Sequence, residues 1–102
     1  MTASFPIIAR ALKVLGASLR DARKRRSIKT EQMAERMGVT RATLARMEGG
    51  HPTVGMETYA KAIYIIDRRK LEVLANLFAD DRFGQIITDR NLPKRIRGRA
   101  KI

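Results

Sequence analysis

The chain has 102 residues, which is enough for one domain built around one hydrophobic core. It contains no cysteine, so disulfides, cysteine-ligated zinc, iron–sulfur clusters and thiol catalysis are excluded. Its 22 Lys and Arg residues against 10 Asp and Glu residues give a formal net charge of +12, which indicates a polyanionic partner: nucleic acid or, less often, an anionic membrane.

The positive charge is concentrated in two blocks, Arg20 to Lys29 and Lys94 to Lys101, on either side of a nearly neutral middle. No run of residues approaches the roughly 18 apolar residues needed to cross a bilayer. No secretory leader with a cleavage site is visible either, so we expect a cytoplasmic protein without a membrane partner.

Apolar residues recur at helical spacing near the beginning of the chain and predict a helix. Gly16 interrupts this pattern, so we expect a helical extension, residues 1–15, joined to a helix that begins near Gly16. The apolar side chains of the extension are expected to pack on the core or to contact another protein chain. These side chains are Ile7, Ile8, Leu12 and Leu15.

Four further helices are predicted in the domain, which we place at residues 16–79. Thr30 and Thr40 are predicted N-caps of the first two, and Gly38 suits the end of a helix because glycine tolerates a positive φ. The predicted helices are Glu31–Met37, Arg41–Glu48, about Met56–Ile66 and about Arg69–Phe78. The buried side chains predicted for the last two are Tyr59, Ala62, Ile63 and Ile66, and Leu71, Leu74, Leu77 and Phe78.

The segment after Asp80-Asp81, residues 80–102, has a weaker pattern. Phe83–Thr88 predicts a short strand or a helical turn, and its apolar side chains suit a dimerisation segment. Leu92-Pro93 predicts the end of order, followed by a mobile basic tail. Since no strand pattern precedes residue 83, the predicted fold class is all-α.

Residues 30–48 have the spacing of a helix-turn-helix. A small residue stands where the two helices must cross, a glycine stands at the turn, and apolar residues anchor the second helix; these are Ala34, Gly38, Val39, Leu44 and Met47. The outward face of the second helix then carries Arg41, Ala42, Ala45 and Arg46, and within this helix no acidic residue precedes Glu48. Such a face can enter the major groove without repelling phosphate, so we predict base contacts from Arg41, Ala42 and Arg46.

Predicted phosphate contacts surround this helix. Hydroxyl groups, backbone N–H groups and the helix dipole combine at a helix N-terminus to bind a phosphate. His51, the single histidine, follows the helix in a loop, and either a phosphate contact or a solvated loop position fits it. The predicted phosphate-contacting residues are Lys29, Thr30, Thr40, Thr43, His51 and Thr53.

The segments LRDARKRR (19–26) and QMAERMGVTRATLARMEGG (32–50) resemble the phage-repressor (Cro/C1, Xre) helix-turn-helix family over about residues 16–66. The resemblance implies a five-helix Cro/C1-type domain, here with the N-terminal extension and the basic tail. It also implies a structural pair between Arg23 of the first helix and Glu48 at the end of the recognition helix. Thr30 departs from the family pattern, where Gln is frequent, so a direct Gln contact is absent.

A narrower resemblance, to HipB-type antitoxins, extends over RMEGGHPTVGMETYAKAI (46–63), the leucine-rich helix after it and LPKRIR (92–97). It implies a bacterial homodimeric repressor that binds inverted repeats in double-stranded operator DNA and so associates with the nucleoid. It further implies a HipA-like kinase toxin as partner, encoded in the same operon, with or without a separate small subunit.

Other functions remain as alternatives. A free-standing phage-type repressor would have no toxin partner, and a basic RNA-binding or nucleoid protein would use charge without sequence choice. Asp80 and Asp81 have no third acid or histidine nearby, so a metal-dependent nuclease is disfavoured. With no catalytic constellation in the sequence, we expect no enzyme activity, no metal and no cofactor.

Overall fold

A computed structural model describes residues 5–91 of the chain. These residues form helices and no strand, which confirms the all-α prediction. The helices are α1 (Pro6–Arg25), α2 (Thr30–Met37), α3 (Arg41–Glu48), α4 (Met56–Ile66), α5 (Arg68–Ala75) and α6 (Arg82–Asn91). The sixth helix occupies the segment for which the sequence left a strand or a helical turn open. The predicted basic tail lies outside the described residues.

α1 is continuous through Gly16, so the predicted interruption at this residue is wrong. Pro6 occupies the beginning of the helix, where its missing N–H group costs no hydrogen bond. Gly16 is buried against the end of α3, and a Cβ atom placed on it would lie only 2.7 Å from the carbonyl oxygen of Glu48. The glycine therefore permits a close crossing of α1 and α3 and does not break α1.

The core is formed by the first four helices. α1 packs against α3 and α4, and α2 packs against the same two helices. Partly buried apolar side chains surround this core, among them Leu12, Val39 and Ile63. The buried apolar residues are Leu19, Met33, Ala34, Met37, Leu44, Met47, Tyr59 and Ala62.

The prediction for α5 requires correction. The helix ends at Ala75, earlier than expected, and none of its residues is buried. Leu77 and Phe78, which the sequence placed in the core, have exposed fractions of 62% and 77%. Periodicity alone cannot tell whether an apolar helix face has a neighbour to pack against. The chain divides into two compact units, one ending at Glu72 and the other beginning at Val73.

The apolar residues of the predicted extension have different environments. Leu12 packs against the core, whereas Ile7 and Ile8 are exposed and the exposed fraction of Leu15 is 37%. Core packing therefore accounts for only one of these four side chains. Among the described residues, no helix is long and apolar enough to span a membrane.

Candidate nucleic-acid interface

The turn between α2 and α3 is made by Gly38 in the left-handed conformation, with φ of 70° and ψ of 33°. The N–H group of Val39 donates to the carbonyl of Ala34 at 3.0 Å, and that of Gly38 donates to Glu35 at 3.1 Å. These bonds satisfy carbonyl groups at the end of α2 and turn the chain sharply toward α3. The predicted glycine turn is confirmed.

Thr40 is the N-cap of α3, as predicted. Its Oγ1 atom accepts a hydrogen bond from the backbone N–H of Thr43 at 3.1 Å. The prediction for α2 is wrong by one residue, because Lys29 is the N-cap and Thr30 is the first helical residue. The backbone N–H of Lys29 donates to Oε1 of Gln32 at 3.0 Å, so a side chain in the first turn supports this helix beginning.

The outward face of α3 is exposed and carries no acid of its own before Glu48. Arg41, Ala42, Ala45 and Arg46 all lie on this exposed surface, while Leu44 and Met47 on the opposite side are buried. A helix with two cations and two small residues on its open face leaves room for a nucleic-acid groove to approach closely.

Both arginines on this face already have a polar neighbour. Nη1 of Arg41 lies 3.3 Å from Oε2 of Glu31 in an ion pair that is largely exposed. Nη2 of Arg46 donates to Oγ1 of Thr43 at 3.3 Å. These contacts are weak because water competes for both partners. The two contacts keep the guanidinium groups beside α3, and a stronger hydrogen-bond acceptor can replace Glu31 or Thr43.

Arg23 and Glu48 form a buried, two-pronged ion pair that joins α1 to the end of α3. Nε of Arg23 lies 2.8 Å from Oε2 of Glu48, and Nη2 lies 3.2 Å from Oε1. Nη1 of Arg23 also donates to the carbonyl of Ile28 at 2.8 Å, which joins the turn before α2 to the same group. The two side chains are only 6% and 8% exposed. The pair that the family resemblance implied is present in the structure, and it orients the recognition helix.

The loop after α3 packs closely on α1. Gly50 has a φ of 74°, and a Cβ atom on it would lie 2.7 Å from the backbone nitrogen of Lys13. Nδ1 of His51 accepts a hydrogen bond from the backbone N–H of Thr53 at 3.2 Å and lies 2.8 Å from its Oγ1. His51 and Thr53 are exposed, and this bonding fixes the turn that presents them.

The structure adds Lys13 to the candidate interface. Its backbone contacts Gly50, so its exposed side chain lies on the part of α1 beside the loop that carries His51 and Thr53. In the sequence this lysine lies in the predicted extension, residues 1–15, and was not among the predicted phosphate contacts. The available signal was the pair of glycines, Gly16 and Gly50, each of which marks a close approach between α1 and the end of α3.

Acid and histidine side chains do not gather into a metal site in residues 5–91. Within this range there is no group of three or more His, Asp or Glu residues that could hold a metal ion. Asp81 of the predicted Asp80-Asp81 pair instead accepts a hydrogen bond from the backbone N–H of Gly84 at 2.9 Å, at the beginning of α6.

Comparison with known proteins agrees with this geometry. A family model described as a helix-turn-helix domain matches residues 14–79, which include the C-terminal part of α1 from Val14, both helices of the motif, α4 and α5. Comparison with curated proteins and with solved structures gave no significant match.

Proposed function

This chain belongs to the helix-turn-helix domain family, whose members bind DNA, and from that premise we propose that it is a sequence-specific transcriptional repressor of double-stranded operator DNA. The observation that carries the proposal is the exposed face of α3, on which Arg41, Ala42 and Arg46 stand with no acidic residue before Glu48 in the same helix. The buried pair of Arg23 and Glu48 holds this helix at a fixed angle to the rest of the domain.

The side chains on α3 suggest how a sequence is read. An arginine can donate two hydrogen bonds to O6 and N7 of guanine, and this is the commonest specific contact in the major groove. Arg41 and Arg46 are proposed to read guanine in this way. Ala42 lies between them on the helix surface, and its methyl group suits contact with the methyl group of thymine.

The surrounding polar residues are proposed to bind the phosphate backbone. Thr40 and Thr43 stand at the N-terminus of α3, and Lys29 and Thr30 stand at the N-terminus of α2, where the helix dipole favours an anion. His51 and Thr53 lie in the loop at the other end of α3. Lys13 is added to the proposed set because its backbone contacts this loop. These residues position the protein without selecting sequence.

We propose that the repressor acts as a two-fold symmetric homodimer on inverted repeats. Two recognition helices would then enter successive major grooves, with half-sites about one helical turn apart. The exposed apolar residues of the second unit, such as Phe83 and Ile86, support residues 80–102 as the dimerisation segment.

The finer proposal is an antitoxin role beside a HipA-like kinase toxin, with or without a separate small subunit, at the bacterial nucleoid. It is supported by the sequence resemblance over residues 46–63 and 92–97, the latter outside the described residues. The alternative is a free-standing repressor with no toxin partner. An adjacent gene for a kinase-like protein that co-purifies with this chain and is inhibited by it favours the antitoxin role. A repressor whose neighbouring genes encode no such partner favours the alternative.

The DNA-binding proposal is tested by affinity for a selected duplex and for a shuffled duplex of the same composition. Arg41→Ala and Arg46→Ala are each expected to cost about 1–3 kcal/mol on the selected duplex, or roughly five- to 150-fold, and to relax base preference at one position. Arg69→Ala removes the same charge from α5, outside the proposed interface and the proposed dimerisation segment, and serves as the control. Equal affinity for both duplexes with parallel salt slopes would instead indicate binding by charge alone.

A further inference from the structure

Within residues 5–72, the described part of its unit, no other helix covers one apolar face of α1. Exposed apolar side chains recur along it at spacings of three, four and seven residues, so they lie on one side of the helix. Ile7, Ile8, Val14 and Leu15 are the large members of this set, and Ala11 lies between them. Leu12 and Leu19, which lie next to this set on the helix, contact the core.

The apolar face of α1 continues into a groove between α1 and α4. This groove has a volume of about 320 Å³. Its apolar lining consists of Leu15, Leu19 and Ala22 from α1 and Ile63 and Ile66 from α4. The exposed stripe and the groove together form one surface, which we call the α1 groove surface; it consists of the apolar residues of this stripe and of the groove on α1, from Ile7 to Ala22, together with Ile63 and Ile66.

The charged rim of the groove is mainly positive. Arg25, Arg26 and Lys70 line one end, and Asp67 is the only acid among the lining residues. Asp67 already accepts a hydrogen bond from the backbone N–H of Arg69 at 3.1 Å and lies 3.6 Å from the Nε atom of Arg69. The rim therefore favours an occupant that presents carboxylates beside its apolar side chains.

The shape and length of this surface narrow the choice of occupant. The interval from Ile7 to Ala22 spans roughly 22 Å at about 1.5 Å per residue, which is longer than a small molecule. The groove is concave and apolar, so it fits a convex apolar element better than a flat bilayer or a phosphate backbone. A second copy of α1 is disfavoured by charge, because this helix carries six Lys and Arg residues and a single acid.

We propose that the α1 groove surface docks an amphipathic helix of an acidic partner protein. The apolar side of that helix would cover Val14 and Leu15 and fill the groove, and its Asp and Glu residues would pair with Arg25, Arg26 and Lys70. This is the helix-in-groove mode of recognition, in which apolar anchors three and four residues apart supply affinity. The α1 groove surface includes none of the residues proposed to contact DNA, so DNA and the partner are expected to bind together.

The test uses the full chain and two labelled synthetic helices with identical leucine positions, three and four residues apart. One helix carries Glu at the flanking positions and the other carries Lys. Fluorescence anisotropy is expected to show binding of the acidic helix only. Val14→Glu and Arg25→Glu are each expected to weaken this binding at least tenfold. The matched controls Val73→Glu and Arg90→Glu lie outside the surface and are expected to leave binding unchanged; Val14 and Val73 are both 63% exposed.

The melting temperature and the operator affinity of the variants are measured as well. We expect Val14→Glu to retain both values while it loses the acidic helix, so failure of the docking proposal can be distinguished from failure of the proposed repressor function. The proposal is overturned if the acidic helix does not bind, if both helices bind equally, or if Val14→Glu has no effect. It is also overturned if anionic vesicles bind the chain through Val14, or if Val14→Glu converts a dimer into monomers, because the surface would then face a membrane or a second copy.

Discussion

Arg23 and Glu48 stand 25 residues apart in sequence, yet their side chains form the buried ion pair that fixes α3 against α1. The carboxylate of Glu48 contacts two nitrogen atoms of Arg23, and the third nitrogen reaches the carbonyl of Ile28. One guanidinium group therefore connects the first helix, the turn before the motif and the end of the recognition helix. Stability and DNA recognition are expected to depend on it together.

Glu48→Ala is expected to lower the free energy of unfolding by about 3–5 kcal/mol, because Arg23 would remain buried without its counter-charge. Urea unfolding of the full chain measures this loss. Glu57→Ala is the control, since the Glu57 side chain is 85% exposed and its pairing with Lys61 is weak. A loss no greater than in the control would show that the pair does not hold the fold.

The double replacement Arg23→Met with Glu48→Leu is expected to recover much of that loss, because apolar side chains of similar volume need no counter-charge. Recovery should be incomplete, since the carbonyl of Ile28 also loses its donor. A double-mutant cycle on unfolding free energies checks this. A double variant as unstable as the sum of the two single losses would contradict it.

Gly16→Ala is expected to destabilise the domain by about 1–3 kcal/mol, although alanine favours helices over glycine by roughly 0.5–1 kcal/mol. The reason is the close approach of α1 to α3, where an added Cβ would meet the carbonyl oxygens of Met47 and Glu48. The sign of the change in thermal unfolding therefore distinguishes the two effects. A higher melting temperature would show that α1 and α3 cross at a greater distance.

The parts of this fold that depend on local signals could be predicted from the sequence. The bounds of α3 follow from the cap at Thr40 and the glycines after Glu48, and the turn follows from Gly38. The role of Gly16 could not be predicted, because the same residue type breaks a helix or permits a close crossing, and only the tertiary structure decides. Leu77 shows the same limit: helical spacing identifies an apolar face but not a partner for it.

The features of the candidate site also divide into those that could be predicted from the sequence and those that could not. The exposed face of α3 was predictable, because Leu44 and Met47 must point inward and so fix the opposite face. The contact of Arg41 with Glu31 was not, since these residues lie ten positions apart on different helices and meet only when the turn has formed. Lys13 was missed for the same reason, because its neighbour Gly50 is distant in sequence.

Glu31→Gln is expected to raise DNA affinity roughly two- to fivefold at low salt. The substitution removes the carboxylate that holds Arg41 at 3.3 Å, and an exposed ion pair of this kind contributes about 0–1 kcal/mol. It also removes a negative charge close to the proposed phosphate contacts. Titration of wild type and variant with the selected duplex checks this, with Glu57→Gln as the control. A weaker complex would indicate that Glu31 positions Arg41 for its base.

Lys29→Ala is expected to weaken binding to the selected and shuffled duplexes by the same factor. The slope of log K against log salt concentration should decrease in magnitude by about 1, since one phosphate contact is lost. Arg69→Ala removes the same charge from α5, outside the proposed interface, and should leave the slope unchanged. A change in sequence preference caused by Lys29→Ala would place its side chain on a base and not on phosphate.

Tyr59→Phe is expected to raise the free energy of unfolding by about 1 kcal/mol at neutral pH, because the buried hydroxyl of Tyr59 has no hydrogen-bond partner among residues 5–91.

Burial raises the pKa of the Tyr59 phenol above its ordinary value. The unfolded chain therefore ionises this group at lower pH than the folded chain does, so the contribution to stability is present below pH 10 and is lost as the pH rises. Tyr59→Phe should reduce this alkaline loss, whereas Tyr64→Phe, at an exposed position of the same helix, should not. Urea unfolding of the three proteins from pH 7 to about pH 11 provides the measurement, and parallel curves for wild type and Tyr59→Phe would exclude the phenol as a source of the alkaline loss.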